Sequence, residues 1–142
     1  GPHVAVALAL GADVGIDIER LDRTVEPLSI ARRYFTAREL EGLESAPVDL
    51  RVKSFFAGWT RKEAIVKARG VTMAESLTTL SVDIDPEVSH PIYEDSLEVE
   101  PRARCRLATL ILPDPSLIGA VALCSDRVPR LRLVVPGGPR FD

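Results

Sequence analysis

The chain has 142 residues, 27% of them charged and 46% apolar, an ordinary balance for a soluble globular protein with material for one core but not two. Its formal net charge of -3 argues against a general nucleic-acid binder, and no apolar run approaches the ~20 residues that span a bilayer. One domain over residues 1–142, standing alone or as a fragment of a longer chain, is the expectation.

Val4–Leu10 is apolar but short and lacks a charged flank, so it reads as a strand rather than a signal peptide. Val14–Ile18 reads as a second strand, and the turn residues Gly11-Ala12-Asp13 between them predict a hairpin. Pro27 suits the first turn of a helix that carries Leu28, Ile30, Ala31 and Tyr34. Thr36-Ala37-Arg38-Glu39 has the capping-box pattern and starts a short helix to about Glu44. Ser45-Ala46-Pro47 breaks it. The longest helix follows from about Asp49 to Arg69, with Phe55, Phe56, Trp59 and Ile65 as its apolar set and Gly70 as its C-terminal cap. Leu80–Ile84, Ala103–Leu112, Ile118–Cys124 and Leu131–Val135 read as strands, with a turn at Pro113–Ser116, while Asp85–Pro101 reads as a loop. Cys105 and Cys124 lack metal-ligand spacing, so reduced thiols in a cytosolic protein are expected. The order of hairpin, helices and antiparallel strands makes the class α+β, with an antiparallel sheet packed against a long helix.

Two acidic words stand out. In Gly15-Ile16-Asp17-Ile18-Glu19, strand alternation puts Asp17 and Glu19 on one face and turns Ile16 and Ile18 to the core. Such a pair is either the wet face of an amphipathic strand or two carboxylates that need a cation between them; Mg²⁺ is held through one or two carboxylates, waters and substrate phosphates. In Trp59-Thr60-Arg61-Lys62-Glu63-Ala64, continuing to Lys67, helical spacing stacks Trp59, Glu63 and Lys67. Glu63 and Lys67 are either a simple helix ion pair or a metal ligand and a phosphate contact. The only lysines, Lys53, Lys62 and Lys67, all fall in this helix of an arginine-rich chain, which points to a need for ammonium groups.

Together the two words resemble the signature of the 4′-phosphopantetheinyl transferases: an apolar-Gly-apolar-Asp-apolar-Glu strand, then Trp-x-x-Lys-Glu-Ala and a further Lys. Val14–Glu19 and Trp59–Lys67 match it throughout, and Arg33–Glu39 is similar to the segment between. The likeness runs from about Val4 to Gly70. It is nearest the C-terminal half of the surfactin-synthetase-activating type, which has two similar halves, although the Ser-His motif of that type is missing and His3 lies too close to the strand to replace it. In length the chain is similar to the holo-acyl-carrier-protein-synthase type, which forms trimers with sites between subunits.

The resemblance implies transfer of the phosphopantetheine arm of coenzyme A to a carrier-protein serine, with release of 3′,5′-ADP. It implies Mg²⁺ on Asp17, Glu19 and Glu63, phosphate contacts from Lys67 and Lys62, and Glu63 as the base for the serine proton. It also implies docking of an acyl or peptidyl carrier protein near Arg20, Arg23, Arg32 and Arg33, and either a homo-oligomer, a trimer among them, or a partner half that completes the coenzyme A site. A non-catalytic half that binds a carrier protein or partner chain is the alternative. Arg102, Arg104 and Arg106 read as sheet-edge charges, and Asp83 and Asp85 as a spacing coincidence.

Overall fold

The computed structural model describes residues 3–21, 24–72, 76–96 and 104–125, and its first regular element is strand β1 (Asp13–Arg20). Helices α1 (Pro27–Tyr34), α2 (Ala37–Ser45) and α3 (Val48–Arg69) follow. Four strands complete the chain order: β2 (Leu80–Val82), β3 (Tyr93–Asp95), β4 (Cys105–Thr109) and β5 (Leu117–Cys124). The expected strand at Leu131–Val135 and residue Arg102 lie outside the described residues.

The local signals explain the helices. Pro27 opens α1, where its missing N–H costs nothing. Thr36 caps α2 in a reciprocal box: its hydroxyl accepts from the Glu39 N–H, and the Glu39 carboxylate accepts from the Thr36 N–H at 2.7 Å. Gly70 ends α3 in the left-handed conformation, φ 62°, and its N–H returns to carbonyls of the last turn.

The sheet is antiparallel with order β1-β5-β4, and β2 pairs with β3 in a separate two-stranded ladder. Helix α3 packs across the β1-β5-β4 sheet. One apolar cluster joins Ala64, Ile65 and Ala68 of α3 to Leu80, Val82, Leu107, Ala120 and Ala122. A second gathers Phe35, Phe55 and Phe56 with Ala31, Leu43 and Ile118, and Phe35 stacks on Phe55 at a ring separation of 5.3 Å. Each buried phenylalanine stabilises by ~1.5–3 kcal/mol relative to exposure.

Four expectations need correction. Residues 3–9 form no strand and no hairpin with β1; β1 pairs along its whole length with β5 instead, from Asp13↔Cys124 to Arg20↔Leu117. Alternation signals extended backbone without naming its partner, and the apolar Leu117–Cys124 strand is the better match. Ile16 and Ile18 are only half-buried, because α3 covers the other face of β1. The loop expected at Asp85–Pro101 contains β3, whose short Tyr93–Asp95 run carries little periodicity. Cys105 and Cys124 are joined as a disulfide rather than held as two thiols, because the β4–β5 register sets them opposite each other. Among the described residues, no helix is long and apolar enough to cross a membrane.

Candidate functional site

The site begins with a glycine. Gly15 lies in β1 directly under α3, where a Cβ would run into the Ala64 carbonyl oxygen and the Ala68 nitrogen. Both are backbone atoms, so no rotamer change could make room, and only glycine permits this approach. Strand and helix therefore meet closely, and the next residue on the same face of β1 is Asp17.

There the side chains converge. Lys67 donates to Asp17 Oδ1 at 2.7 Å and to the Ile16 carbonyl at 3.3 Å, and its ammonium lies 4.0 Å from Glu63 Oε2. Asp17 Oδ2 is buried and has no hydrogen-bond partner. The side chains of Asp17 and Glu63 are 13% and 8% exposed, against 47% for Lys67, so the site is open on the lysine side.

Charge crowding follows. Burial holds the Asp17 carboxyl above its ordinary range; Lys67 opposes the rise and Glu19 adds to it. Burial likewise raises Glu63, Asp17 adds to that rise, Lys67 opposes it, and Glu19 contributes last. Glu19 thus acts on both, although among the described residues no three His, Cys, Asp or Glu side chains stand drawn together as a metal cage. The donor set nevertheless fits a hard divalent cation. An orphaned buried carboxylate oxygen wants a positive partner, all the available donors are oxygens, and Mg²⁺ needs only one or two carboxylates.

Lys62 departs from expectation. It does not reach towards phosphate: its side chain is 0% exposed, and its ammonium donates to Glu39 Oε2 at 2.6 Å and to the Leu80 carbonyl. It also lies 5.0 Å from the centre of the Phe35 ring. One residue along a helix is a turn of about 100°, so Lys62 and Glu63 cannot face the same way. Burial lowers the Lys62 pKa, and Glu39 opposes that fall. Glu39 also accepts from the Val82 N–H at 2.8 Å, so the capping residue of α2 ties α2, α3 and β2 together. Sequence reasoning read Glu39 as a local cap only; no spacing rule reports that a cap will be buried.

Arg61, the residue before Lys62, is also buried. It donates to the Asp83 and Val88 carbonyls and to Thr109 Oγ1, anchoring the chain between β2 and β3. Asp83 and Asp85 make local turns there, each accepting from a backbone N–H two residues on. Trp59 is half-buried and packs edge-on to Tyr34 at 5.8 Å and over Phe55 at 5.9 Å.

The arginines named for docking separate. Arg32 and Arg33 are exposed in the last turn of α1, with Arg32 3.5 Å from Glu44 and Arg33 over the Tyr34 ring. Arg20 is engaged with Ser116 and with His3, whose ring also lies 3.4 Å from Asp114. Arg23 lies outside the described residues. Arg106 is exposed on β4, an edge strand of the β1-β5-β4 sheet.

Comparison with known proteins gives a family and a fold. Residues 13–110 match the family described as the 4′-phosphopantetheinyl transferase superfamily. The chain is 34% identical over 110 residues to the 4′-phosphopantetheinyl transferase HetI of Nostoc sp., an overlap of 78% of this chain and 43% of that protein. It is 31% identical over 112 residues to the 4′-phosphopantetheinyl transferase AcpT of Escherichia coli K12, covering 79% of this chain and 51% of that one. The chain thus spans about half the length of these relatives. The fold is similar to a holo-(acyl-carrier-protein) synthase from Bacillus anthracis solved in complex with CoA (3′,5′-ADP), with TM-score 0.61 and 24% identity over 79% of this chain and 94% of that one. It is also similar to the Thermotoga maritima holo-[acyl-carrier-protein] synthase, with TM-score 0.62 and 20% identity over 81% and 64% of the two chains.

Proposed function

Because the chain belongs to the 4′-phosphopantetheinyl transferase superfamily, we propose that it transfers the 4′-phosphopantetheine group of coenzyme A to a serine of an acyl or peptidyl carrier protein, releasing 3′,5′-ADP. The observation that carries this reading is the buried, unpartnered oxygen of Asp17 beside Glu63 and Lys67.

Asp17, Glu19 and Glu63 would hold Mg²⁺, which when bound supplies charge neutralisation at the pyrophosphate. The chain's own groups account for the rest. Lys67, open to solvent at the rim, receives phosphate. Glu63, its carboxylate 4.0 Å from the Lys67 ammonium, takes the serine proton. The serine oxygen then bonds to the phosphorus that carries pantetheine, and the bond from that phosphorus to the 3′,5′-ADP oxygen breaks. Positioning and charge stabilisation dominate such a transfer.

The exposed Arg32 and Arg33 are the better candidates for orienting an acidic carrier protein, since Arg20 is already engaged with Ser116 and His3. A homo-oligomer, trimeric or otherwise, or a partner half would complete the coenzyme A site. The exposed row Val4, Val6, Leu8 and Leu10 supports this. The exposed row Val4, Val6, Leu8 and Leu10 also favours one second reading, a non-catalytic half that binds a carrier protein or partner chain.

The test is intact-mass analysis of an apo carrier protein incubated with this chain, coenzyme A and Mg²⁺. The expected result is a gain of one phosphopantetheine, abolished by EDTA and by Asp17→Ala combined with Glu63→Gln. No gain, beside an active two-half relative, favours the binding half. A gain that survives the double substitution rejects the site.

A further inference from the structure

We infer that Lys67 is a resident counter-cation: its ammonium holds Asp17 until a divalent ion enters, and that entry drives it off towards the phosphate. The inference rests on the metal reading of Asp17, Glu19 and Glu63 and adds an order of events to it.

The geometry of the three lysines carries the argument. Lys62 is locked, with no exposed surface and with Glu39 and the Leu80 carbonyl as partners. Lys53 pairs with Glu87 at 2.7 Å, away from the carboxylates. Lys67 alone is both at the site and half-exposed, bonded to Asp17 Oδ1 at 2.7 Å and to the Ile16 carbonyl at 3.3 Å. Glu63 lies one turn earlier on α3, with its carboxylate 4.0 Å from the same ammonium. One positive charge thus serves two carboxylates that would otherwise repel.

A divalent cation on Asp17 competes for the same oxygens and repels the ammonium. The lysine head has a flexible four-carbon stem and an open side of the site to move into. The anchor for its helix does not move with it, because Gly15 fixes α3 against β1 through backbone contact. The displaced ammonium then stands at the rim, where an anionic phosphate can take it up. By linkage, the phosphate that captures Lys67 also favours metal on Asp17, so the two ligands bind cooperatively.

Mn²⁺ titration of the substrate-free chain, followed by the loss of the free-ion electron paramagnetic resonance signal, tests this. Lys67→Met removes the competitor and is expected to tighten Mn²⁺ binding by about fivefold, the upper worth of a partly exposed ion pair. Lys67→Arg keeps the charge and is expected to leave affinity at or below that of the parent chain. Equal or weaker binding by Lys67→Met, beside measurable binding by the parent, overturns the exchange and leaves the metal reading standing. No Mn²⁺ binding by either chain overturns both. Acetylation of the unaltered chain supplies a second readout: Mn²⁺ should increase modification of Lys67 relative to Lys53, and protection of Lys67 contradicts the exchange.

Discussion

Asp17 and Glu63 sit where a charge is costly, and their protonation should therefore register in stability. Both carboxyls are raised chiefly by burial, so the folded state disfavours their ionised forms. Below the ordinary carboxylate range both folded and unfolded chains are protonated and no difference arises. As pH climbs through that range the unfolded chain ionises first, and folding loses stability until the raised folded-state value is passed. Glu63→Gln should consequently raise the melting temperature of the metal-free chain at neutral pH while abolishing transfer. Thermal melts in EDTA at neutral and acidic pH check this; the gain should vanish at the acidic end. A loss of stability at neutral pH would mean that the ion pair with Lys67 outweighs burial. Lys62 lies at the opposite extreme. Breaking a buried pair such as Glu39–Lys62 from one side typically costs ~3–5 kcal/mol, so this lysine is a structural fixture.

At the scale of elements, the contact of β1 with α3 decides whether the carboxylates meet. Gly15→Ala must push two backbones apart, so it should cost ~1–3 kcal/mol and shift Asp17 away from Lys67. Urea denaturation and Mn²⁺ titration of the variant read the two effects, and a variant that keeps both the urea midpoint and Mn²⁺ affinity would contradict the account. The elements themselves were largely legible in the sequence. Pro27, the Thr36–Glu39 box and Gly70 are local devices that act through neighbouring atoms, and α1, α2 and α3 begin or end beside them. Tertiary choices were not legible. The pairing of β1 with β5 instead of residues 4–10, the burial of Lys62 and the Cys105–Cys124 bond all depend on residues distant in sequence. Strand and helix periodicity indicated which side chains of the two acidic words share a face, and Asp17, Glu63 and Lys67 do lie together in the fold. The words could not indicate that Lys62 and Glu63, adjacent in the chain, would point into different environments.

At the scale of the molecule, the apolar row from Val4 to Leu10 is the longest run of exposed large apolar side chains among the described residues. Val4, Val6, Leu8 and Leu10 are all largely exposed, while Ala5, Ala7 and Ala9 between them are partly covered. Sedimentation velocity should therefore find the active species at a multiple of the monomer mass, or find activity only after a partner half is added. A stable monomer with full transfer activity would reject that prediction.

Trp59 has one more consequence, which concerns observation rather than chemistry. It is the only tryptophan in the chain, half-buried one helical turn before Glu63 and in edge contact with Tyr34 of α1. Indole-selective fluorescence therefore comes from a single ring at the junction of α1 and α3, a built-in optical reporter beside the carboxylates that needs no attached dye.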